Sequence, residues 1–159
     1  MRLQPLLAAC GGFLLAVLWF DLMFDVQVLG QTALLPDATL ASIAHYYARV
    51  TGGAHPMQRL VALVMAVTVL GSLVRAWRAP RRLLSWVALG AATIPIALAA
   101  VRVLPNAVRL GAGTGSPGEQ SALARAIFAD HAVCWLAIAV FTAIQIVPLP
   151  PGPGSSSSD

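Results

Sequence analysis

The fold of this chain is decided by its first long apolar run, residues 6–30, which reads LLAACGGFLLAVLWFDLMFDVQVLG. This run carries no charge before Asp21, and it exceeds the roughly 20 residues that a helix needs to cross the hydrocarbon core of a bilayer. Three more runs of the same kind follow, at residues 56–77, 83–104 and 122–147. The sequence therefore predicts an all-α membrane protein, an up-down bundle of four transmembrane helices.

The composition supports this class. Of the 159 residues, 58% are hydrophobic and only 10% are charged, whereas a water-soluble domain of this size needs more charge to cover its surface. The net charge of +4 comes from ten arginines and no lysine. Most of these arginines flank apolar runs, as membrane orientation requires, so we expect the lipid bilayer as a partner and no nucleic acid.

The chain reads as one domain, residues 1–147, followed by a proline- and serine-rich tail at 148–159 that we expect to be disordered. Between the first two spans, residues 37–50 predict a short helix that lies at the membrane interface, with Asp37 as a candidate cap. Its apolar stripe consists of Leu40, Ile43, Tyr47 and Val50.

Arginine placement predicts the orientation. Four arginines crowd the connection between the second and third spans, at positions 75, 78, 81 and 82, and Arg2 lies on the same side of the membrane. Because positively charged connections stay in the cytoplasm, we expect a multi-pass protein of the cell membrane with both termini cytoplasmic.

Ionisable residues inside the spans gather at one depth. Asp21 and Asp25 lie in the first span, Arg102 in the third, and Asp130 and His131 in the fourth. At 1.5 Å of rise per residue, all five fall in the outer half of the membrane. Charged groups at such a depth usually face a bundle interior, a partner or water, so the sequence predicts a polar intramembrane site.

Helical spacing groups these residues by face. Asp21 and Asp25 are one turn apart and share a face. Arg102, Asn106 and Arg109 also share a face if the third helix continues through Pro105. On the fourth span, His131 aligns with Trp135, while Asp130 points about 100° away.

Three interpretations of this site stay open. In the first, Asp21 or Asp25 pairs with Arg102 and simply locks the helices together. In the second, the cluster serves proton relay, substrate binding or catalysis. In the third, Asp21, Asp25 and His131 bind a divalent metal, although Asp-x-x-x-Asp is a weak signal and the chain has no HExxH motif. The preferred expectation includes no metal and no cofactor.

Two short motifs and the start of the fourth span carry a family resemblance. They are Leu35-Pro36-Asp37 before the short helix, Pro105-Asn106-Ala107-Val108-Arg109-Leu110 at the end of the third span, and the group Phe128, Asp130 and His131. Over roughly residues 6–147 the chain resembles the anthrone-oxygenase-like family of small four-helix membrane proteins. The stretch from Asp21 to Asp25 is not part of the family's pattern.

This resemblance implies cofactor-independent oxidation of an activated aromatic carbon by molecular oxygen. An anthrone CH₂ is acidic because its carbanion is a delocalised phenolate. His131 would be the base, since an unperturbed imidazole pKa near 6.5 suits proton abstraction at neutral pH. Asn106 and Arg109 would hold the developing oxyanion, and an apolar substrate would enter from the bilayer.

Two classes of function follow. The chain is either a small membrane enzyme or a non-catalytic accessory subunit or carrier whose polar network is structural or relays protons. The enzyme would act on a hydrophobic small molecule, and with either function the chain could form a homo-oligomer or join a larger membrane complex. The candidate catalytic residues are Asp21, Asp25, Asn106, Arg109 and His131, and the candidates for substrate binding or ion pairing are Arg102, Asp130 and Trp135.

Overall fold

The structure is a computed structural model that describes residues 3–53, 55–79 and 83–147. Its helices are Leu3–Asp25, continued by a 3₁₀ turn at Val26–Val28, then Asp37–Gly52, His55–Arg78, Leu83–Gly111 and Pro117–Ile146. We call Asp37–Gly52 the short helix and the other four the first to fourth spans. All four spans are long and apolar enough to cross a membrane, and the predicted all-α bundle is confirmed.

Two sequence predictions fall outside the described residues. One is the disordered tail at 148–159, and the other involves three arginines used for the orientation, Arg2, Arg81 and Arg82. The orientation of the termini stays a prediction.

The spans form a ring. The first span packs on the second and fourth, and the third span also packs on the second and fourth. The first and third spans therefore lie diagonally across the bundle. The short helix packs mainly on the last segment of the third span, Leu104–Gly111, and so covers one end of the ring.

The third span continues seven residues beyond its predicted end. Its α-helical part Leu83–Leu98 contains the buried Pro95, and a π-helical turn follows at Ala99–Val103. In this turn the Leu104 N–H donates to the Ala99 carbonyl, five residues back. Because this wider turn relieves the clash that Pro105 would cause in a regular α-helix, the helix runs on to Gly111.

The fourth span begins at Pro117, five residues before its predicted start. The Ser116 hydroxyl accepts the Glu119 N–H, and the Glu119 carboxylate in turn accepts the Ser116 N–H at 2.7 Å. This capping box satisfies two backbone groups at the helix end, and proline is well suited to the first helical position.

The loop that follows the first span is held against the fourth span by hydrogen bonds. Arg125 donates to the carbonyls of Val28 at 3.2 Å, Gln31 at 3.4 Å and Thr32. The Ser121 hydroxyl accepts the Leu35 N–H at 3.1 Å. These bonds fix where the short helix begins and hence which of its residues reach the bundle.

Two apolar clusters fill the bundle. The first lies at the end covered by the short helix and consists of Val28, Leu35, Ile43, Tyr47, Val103, Ala107, Leu110, Ala124 and Ile127. The second lies towards the opposite end and consists of Leu7, Ala88, Ala92 and Phe141. Tyr47 is the residue of the first cluster that carries a hydroxyl, and it leads to the polar site.

Candidate acid-base site

The site is built around His131 of the fourth span, which lies between two aspartates of the first span. Its Nδ1 is 2.6 Å from Oδ2 of Asp25, and its Nε2 is 3.9 Å from Oδ2 of Asp21. His131 and Asp25 are buried, whereas the Asp21 side chain keeps 15% of its surface exposed. The imidazole therefore has one nitrogen held deep in the protein and the other near a more accessible carboxylate.

Two adjacent tyrosines of the short helix complete the site. The Tyr47 hydroxyl donates to Oδ1 of Asp25 at 2.7 Å and lies 3.4 Å from Nδ1 of His131. The Tyr46 hydroxyl donates to Oδ1 of Asp21 at 2.5 Å. Together the five side chains form a polar chain, Tyr46–Asp21–His131–Asp25–Tyr47, which we call the acid-base chain. Its neighbours are hydrogen-bonded except for Asp21 and His131, whose facing atoms are 3.9 Å apart.

Helix geometry explains why neighbouring tyrosines reach both acids. Asp21 and Asp25 are separated by about 6 Å along one helix face, and Tyr46 and Tyr47 project in directions about 100° apart. Tyr47 lies on the buried face of the short helix, as its apolar stripe predicted, and Tyr46 lies beside it. The Tyr46 ring stacks on Phe24, with centroids 4.0 Å apart and planes inclined by 10°.

Gly111 allows the short helix to come this close. A Cβ at Gly111 would lie 2.7 Å from the Ala48 nitrogen and 2.9 Å from the Tyr47 carbonyl carbon. Such contacts are shorter than van der Waals separation, so a larger residue would push the short helix away. The end of the third span thus determines the depth at which Tyr47 is held.

Both phenols remain donors at physiological pH. Burial, followed by the nearby negative charge of Asp25, raises the pKa of Tyr47 far above its ordinary value near 10. Burial and the charge of Asp21 raise the pKa of Tyr46 in the same direction. Each tyrosine therefore offers an O–H to its carboxylate rather than competing with it for charge.

The donor set does not have the form of a metal site. The two aspartates approach opposite nitrogens of the imidazole ring, so the three residues do not converge on a common point. Within residues 3–53, 55–79 and 83–147, no group of three or more His, Cys, Asp or Glu side chains could hold a metal ion. The metal interpretation of Asp21, Asp25 and His131 is not proposed further.

Arg102 pairs with Asp130 and not with Asp21 or Asp25. Its Nε is 3.3 Å from Oδ2 of Asp130, with 58% of the arginine side chain exposed and 9% of the aspartate. The sequence interpretation that joined the first span to Arg102 is corrected, because these spans lie diagonally across the ring. The carboxylates of the first span meet His131 of the adjacent fourth span instead.

The remaining candidates lie at the edge of the site. Asn106 is half-buried and Arg109 is exposed, and no hydrogen bond or ion pair among the described residues joins either of them to His131. Trp135 lies one turn from His131 and packs against Trp19 of the first span, with ring centroids 6.3 Å apart. Trp135 therefore contributes to the contact between the two spans beside the acid-base chain.

Sequence reasoning did not include Tyr46 or Tyr47 among the site residues. One signal was available, since Tyr47 belongs to the apolar stripe of the short helix, and a buried tyrosine hydroxyl needs a partner. The aspartates of the first span are the acceptors at the matching depth.

Comparisons of the chain with family models, curated proteins and solved structures found no match. The resemblance to the anthrone-oxygenase-like family therefore rests on the sequence motifs alone. The chemistry of the site has to be argued from its own geometry.

Proposed function

We propose that this chain is a small membrane enzyme in which His131 acts as the general base towards an apolar substrate with an acidic C–H bond. The four apolar helices are compatible with an integral membrane protein. One observation carries the enzymatic part of the proposal, the 2.6 Å contact between Nδ1 of His131 and the fully buried Asp25.

A buried carboxylate at this position orients the imidazole so that it can act as a base. Asp25 accepts the Nδ1 proton, which fixes the ring orientation and leaves Nε2 as the proton acceptor. Tyr47 donates to the other oxygen of Asp25, so both oxygens of the carboxylate have a hydrogen-bond partner. When Nε2 takes a proton, the resulting imidazolium lies between two carboxylates that stabilise it.

The reaction that suits such a base is oxygenation of an anthrone-like CH₂. His131 removes one proton and leaves a carbanion delocalised as a phenolate. The carbanion adds molecular oxygen and takes up a proton to give a hydroperoxide, which loses water to give the ketone. The balance is R₂CH₂ + O₂ → R₂C=O + H₂O, with the substrate carbon oxidised, oxygen reduced and no cofactor consumed.

Asp21 and Tyr46 take the proton-handling role at the accessible end of the acid-base chain. Asp21 is partly exposed and its Oδ2 lies 3.9 Å from Nε2, so the two side chains have to move closer before a proton passes between His131 and the outside. The second span buries no residue between positions 55 and 67, at the level of the site. An apolar substrate would approach from the lipid along this loosely packed part of the bundle.

The oxyanion role that the resemblance gives to Asn106 and Arg109 is not part of this proposal. Neither side chain bonds to the acid-base chain within the described residues, and Arg109 is exposed. The proposal assigns the chemistry to His131, Asp25 and Asp21, with the two tyrosines as positioning residues.

Oxygen uptake tests the proposal. Purified protein in phosphatidylcholine nanodiscs would receive anthrone, and oxygen consumption and anthraquinone absorbance would be followed together. We expect a one-to-one ratio of oxygen to anthrone, and a loss of at least about 100-fold in rate for His131→Ala, the size of a general-base contribution.

His45→Ala is the matched control, because His45 is exposed on the short helix and has no hydrogen bond among the described residues. It should keep the wild-type rate. A folded His131→Ala protein that keeps the wild-type rate would overturn the role of His131. A wild-type rate no higher than that of empty nanodiscs would overturn the oxygenase.

A second candidate function, proton relay in a carrier or accessory subunit, is favoured by the row of polar side chains that leads from half-exposed Tyr46 to buried Tyr47, with one gap of 3.9 Å between Asp21 and His131. Liposomes that contain the protein and a pH-sensitive dye would measure proton flux driven by a potassium diffusion potential. Flux that disappears in His131→Ala but not in His45→Ala would support this function. Flux equal to that of empty liposomes would exclude it.

A further inference from the structure

The end of the bundle opposite the short helix carries a concentrated positive charge. The second span ends there with Arg75 and Arg78 in its last turn, and the sequence places Arg81 and Arg82 in the connection to the third span. We call these four residues the arginine cluster. Because they fall within residues 75–82, their charges act on the same small area of the membrane surface.

Acidic residues do not balance this charge. The described segments of this end, residues 3–15, 65–79, 83–95 and 135–147, contain no aspartate or glutamate. The sequence adds Asp159 in its tail, one carboxylate against four guanidinium groups. The arginine cluster therefore keeps a net positive charge.

The end covered by the short helix is different, because arginines and acidic residues are equally numerous there. Its charged residues are Arg49, Arg59, Arg102, Arg109 and Arg125, and Asp21, Asp25, Asp37, Glu119 and Asp130. Only the opposite end therefore presents a strongly positive surface in the described segments.

Two tryptophans flank the arginine cluster. Trp77 precedes the last residue of the second span and is 69% exposed, and Trp86 lies in the first turn of the third span and is 44% exposed. Exposed tryptophans at the ends of membrane helices lie at the level of the lipid headgroups. The arginine cluster is therefore at the depth of the lipid phosphates.

One arginine of the cluster is held in place by the bundle. Arg75 donates to Oε1 of Gln145 on the fourth span, and the backbone carbonyl of Gln145 accepts a hydrogen bond from Gln4 of the first span at 2.8 Å. Arg78 is exposed one turn further along. A guanidinium presents its N–H donors in a planar fork that matches two oxygens of a phosphate, and a side chain that is already held loses less freedom on binding.

We propose that the arginine cluster binds the headgroup of an anionic phospholipid in the leaflet that surrounds this end of the bundle. The guanidinium groups contact the phosphate, and the acyl chains pack on the exposed Leu83 and Leu84. Phosphatidylcholine has the same phosphate, but the arginines repel its trimethylammonium group, so it binds more weakly. This binding does not depend on the chemistry of His131.

Native mass spectrometry of the protein in detergent tests this, with phosphatidylglycerol and phosphatidylcholine titrated separately. We expect phosphatidylglycerol to bind at least about tenfold more tightly, since each arginine near a membrane surface contributes roughly fivefold to the affinity for anionic lipid. Arg78→Gln with Arg82→Gln should remove most of this preference. Arg78→Gln alone, at an exposed position, should weaken phosphatidylglycerol binding about fivefold.

Arg49→Gln with Arg59→Gln is the matched control, because it removes the same charge from exposed positions at the other end. It should keep the preference for phosphatidylglycerol, and circular dichroism would verify that both double variants are folded. The proposal is overturned if the wild type binds both lipids equally, if the folded Arg78 and Arg82 double variant keeps the preference, or if the control loses it equally. A polyglutamate peptide that binds the wild type when phosphatidylglycerol shows no preference would indicate an acidic protein partner instead.

Discussion

At the end of the bundle covered by the short helix, Asp21, Asp25 and His131 are ionisable and lie together, whereas the opposite end uses amides and hydroxyls around Arg75. There Gln4 donates to the Gln145 carbonyl at 2.8 Å, and Arg75 donates to Oε1 of Gln145. The hydroxyls of Thr68 and Thr142 bond to carbonyls of their own helices.

Buried polar groups therefore serve two different purposes at the two ends of the bundle. Amides and hydroxyls keep their protons at neutral pH, so the opposite end can hold helices together but cannot exchange protons. Aspartate and histidine change their protonation with modest changes in surroundings. Acid-base chemistry is therefore expected where Asp21, Asp25 and His131 meet, and structural cohesion where Gln145 meets its neighbours.

The largest expected effect comes from removing the deepest carboxylate. Asp25→Ala should lower the free energy of unfolding by about 3–5 kcal/mol, because it leaves His131 and Tyr47 buried without their shared partner. Gln145→Ala, at the opposite end, should cost about 1–3 kcal/mol for one broken polar contact. Chemical unfolding in detergent micelles, followed by circular dichroism, measures both, and equal losses would contradict the distinction between the two ends.

Smaller losses in the free energy of unfolding are expected when either tyrosine is replaced by phenylalanine, and the two losses should differ. Tyr47→Phe removes a buried hydrogen bond to a charged group and should cost about 1.5–3 kcal/mol. Tyr46→Phe removes a bond to the partly exposed Asp21 and keeps the stacking on Phe24, so it should cost about 0.5–1.5 kcal/mol. The same unfolding measurement applies, and a larger loss for Tyr46→Phe would show that Asp21, not Asp25, anchors the site.

A third effect, within the same range, concerns the contact that positions the short helix. Gly111→Ala places a methyl group against the backbone of Tyr47 and Ala48 and should cost about 1–3 kcal/mol, the usual range for overpacking. Gly90→Ala on the same span is the control, because nothing lies within 4 Å of its added carbon, and it should be neutral or slightly stabilising. Equal stabilities of the two variants would show that the short helix is not held by this contact.

Apolar length was enough to predict the four spans, because the hydrocarbon thickness of a bilayer sets how long an apolar helix must be. The residues at which the helices begin and end were harder to predict, because they depend on local features such as prolines and capping residues. Pro105 suggested an end to the third span, and only the π turn at Ala99–Val103 allows the helix to pass it. For the fourth span, Ser116 and Glu119 have the spacing of a capping box in the sequence, which indicates the helix start that the structure shows.

Depth counting brought Asp21, Asp25 and His131 together, as the structure does, but it could not choose the partners. Depth along a helix says nothing about which spans are adjacent in the ring. Arg102 matched the aspartates in depth and lies across the diagonal, where it pairs with Asp130 instead. The tyrosines were missed for a related reason, since the apolar stripe placed Tyr47 on the buried face of the short helix but did not show which spans that face would meet.

The π turn of the third span contains one residue more than an α-helical turn, and it therefore changes which side of the helix the following residues face. One extra residue rotates everything after it by about 100°. The rotation is what directs Ala107 and Leu110 towards the short helix and the fourth span, and it leaves Pro105 facing outward. Deleting a single residue from Ala99–Val103 would restore regular α-helical phase and turn this apolar face towards lipid, so the register of five residues decides whether the short helix has a surface to pack on.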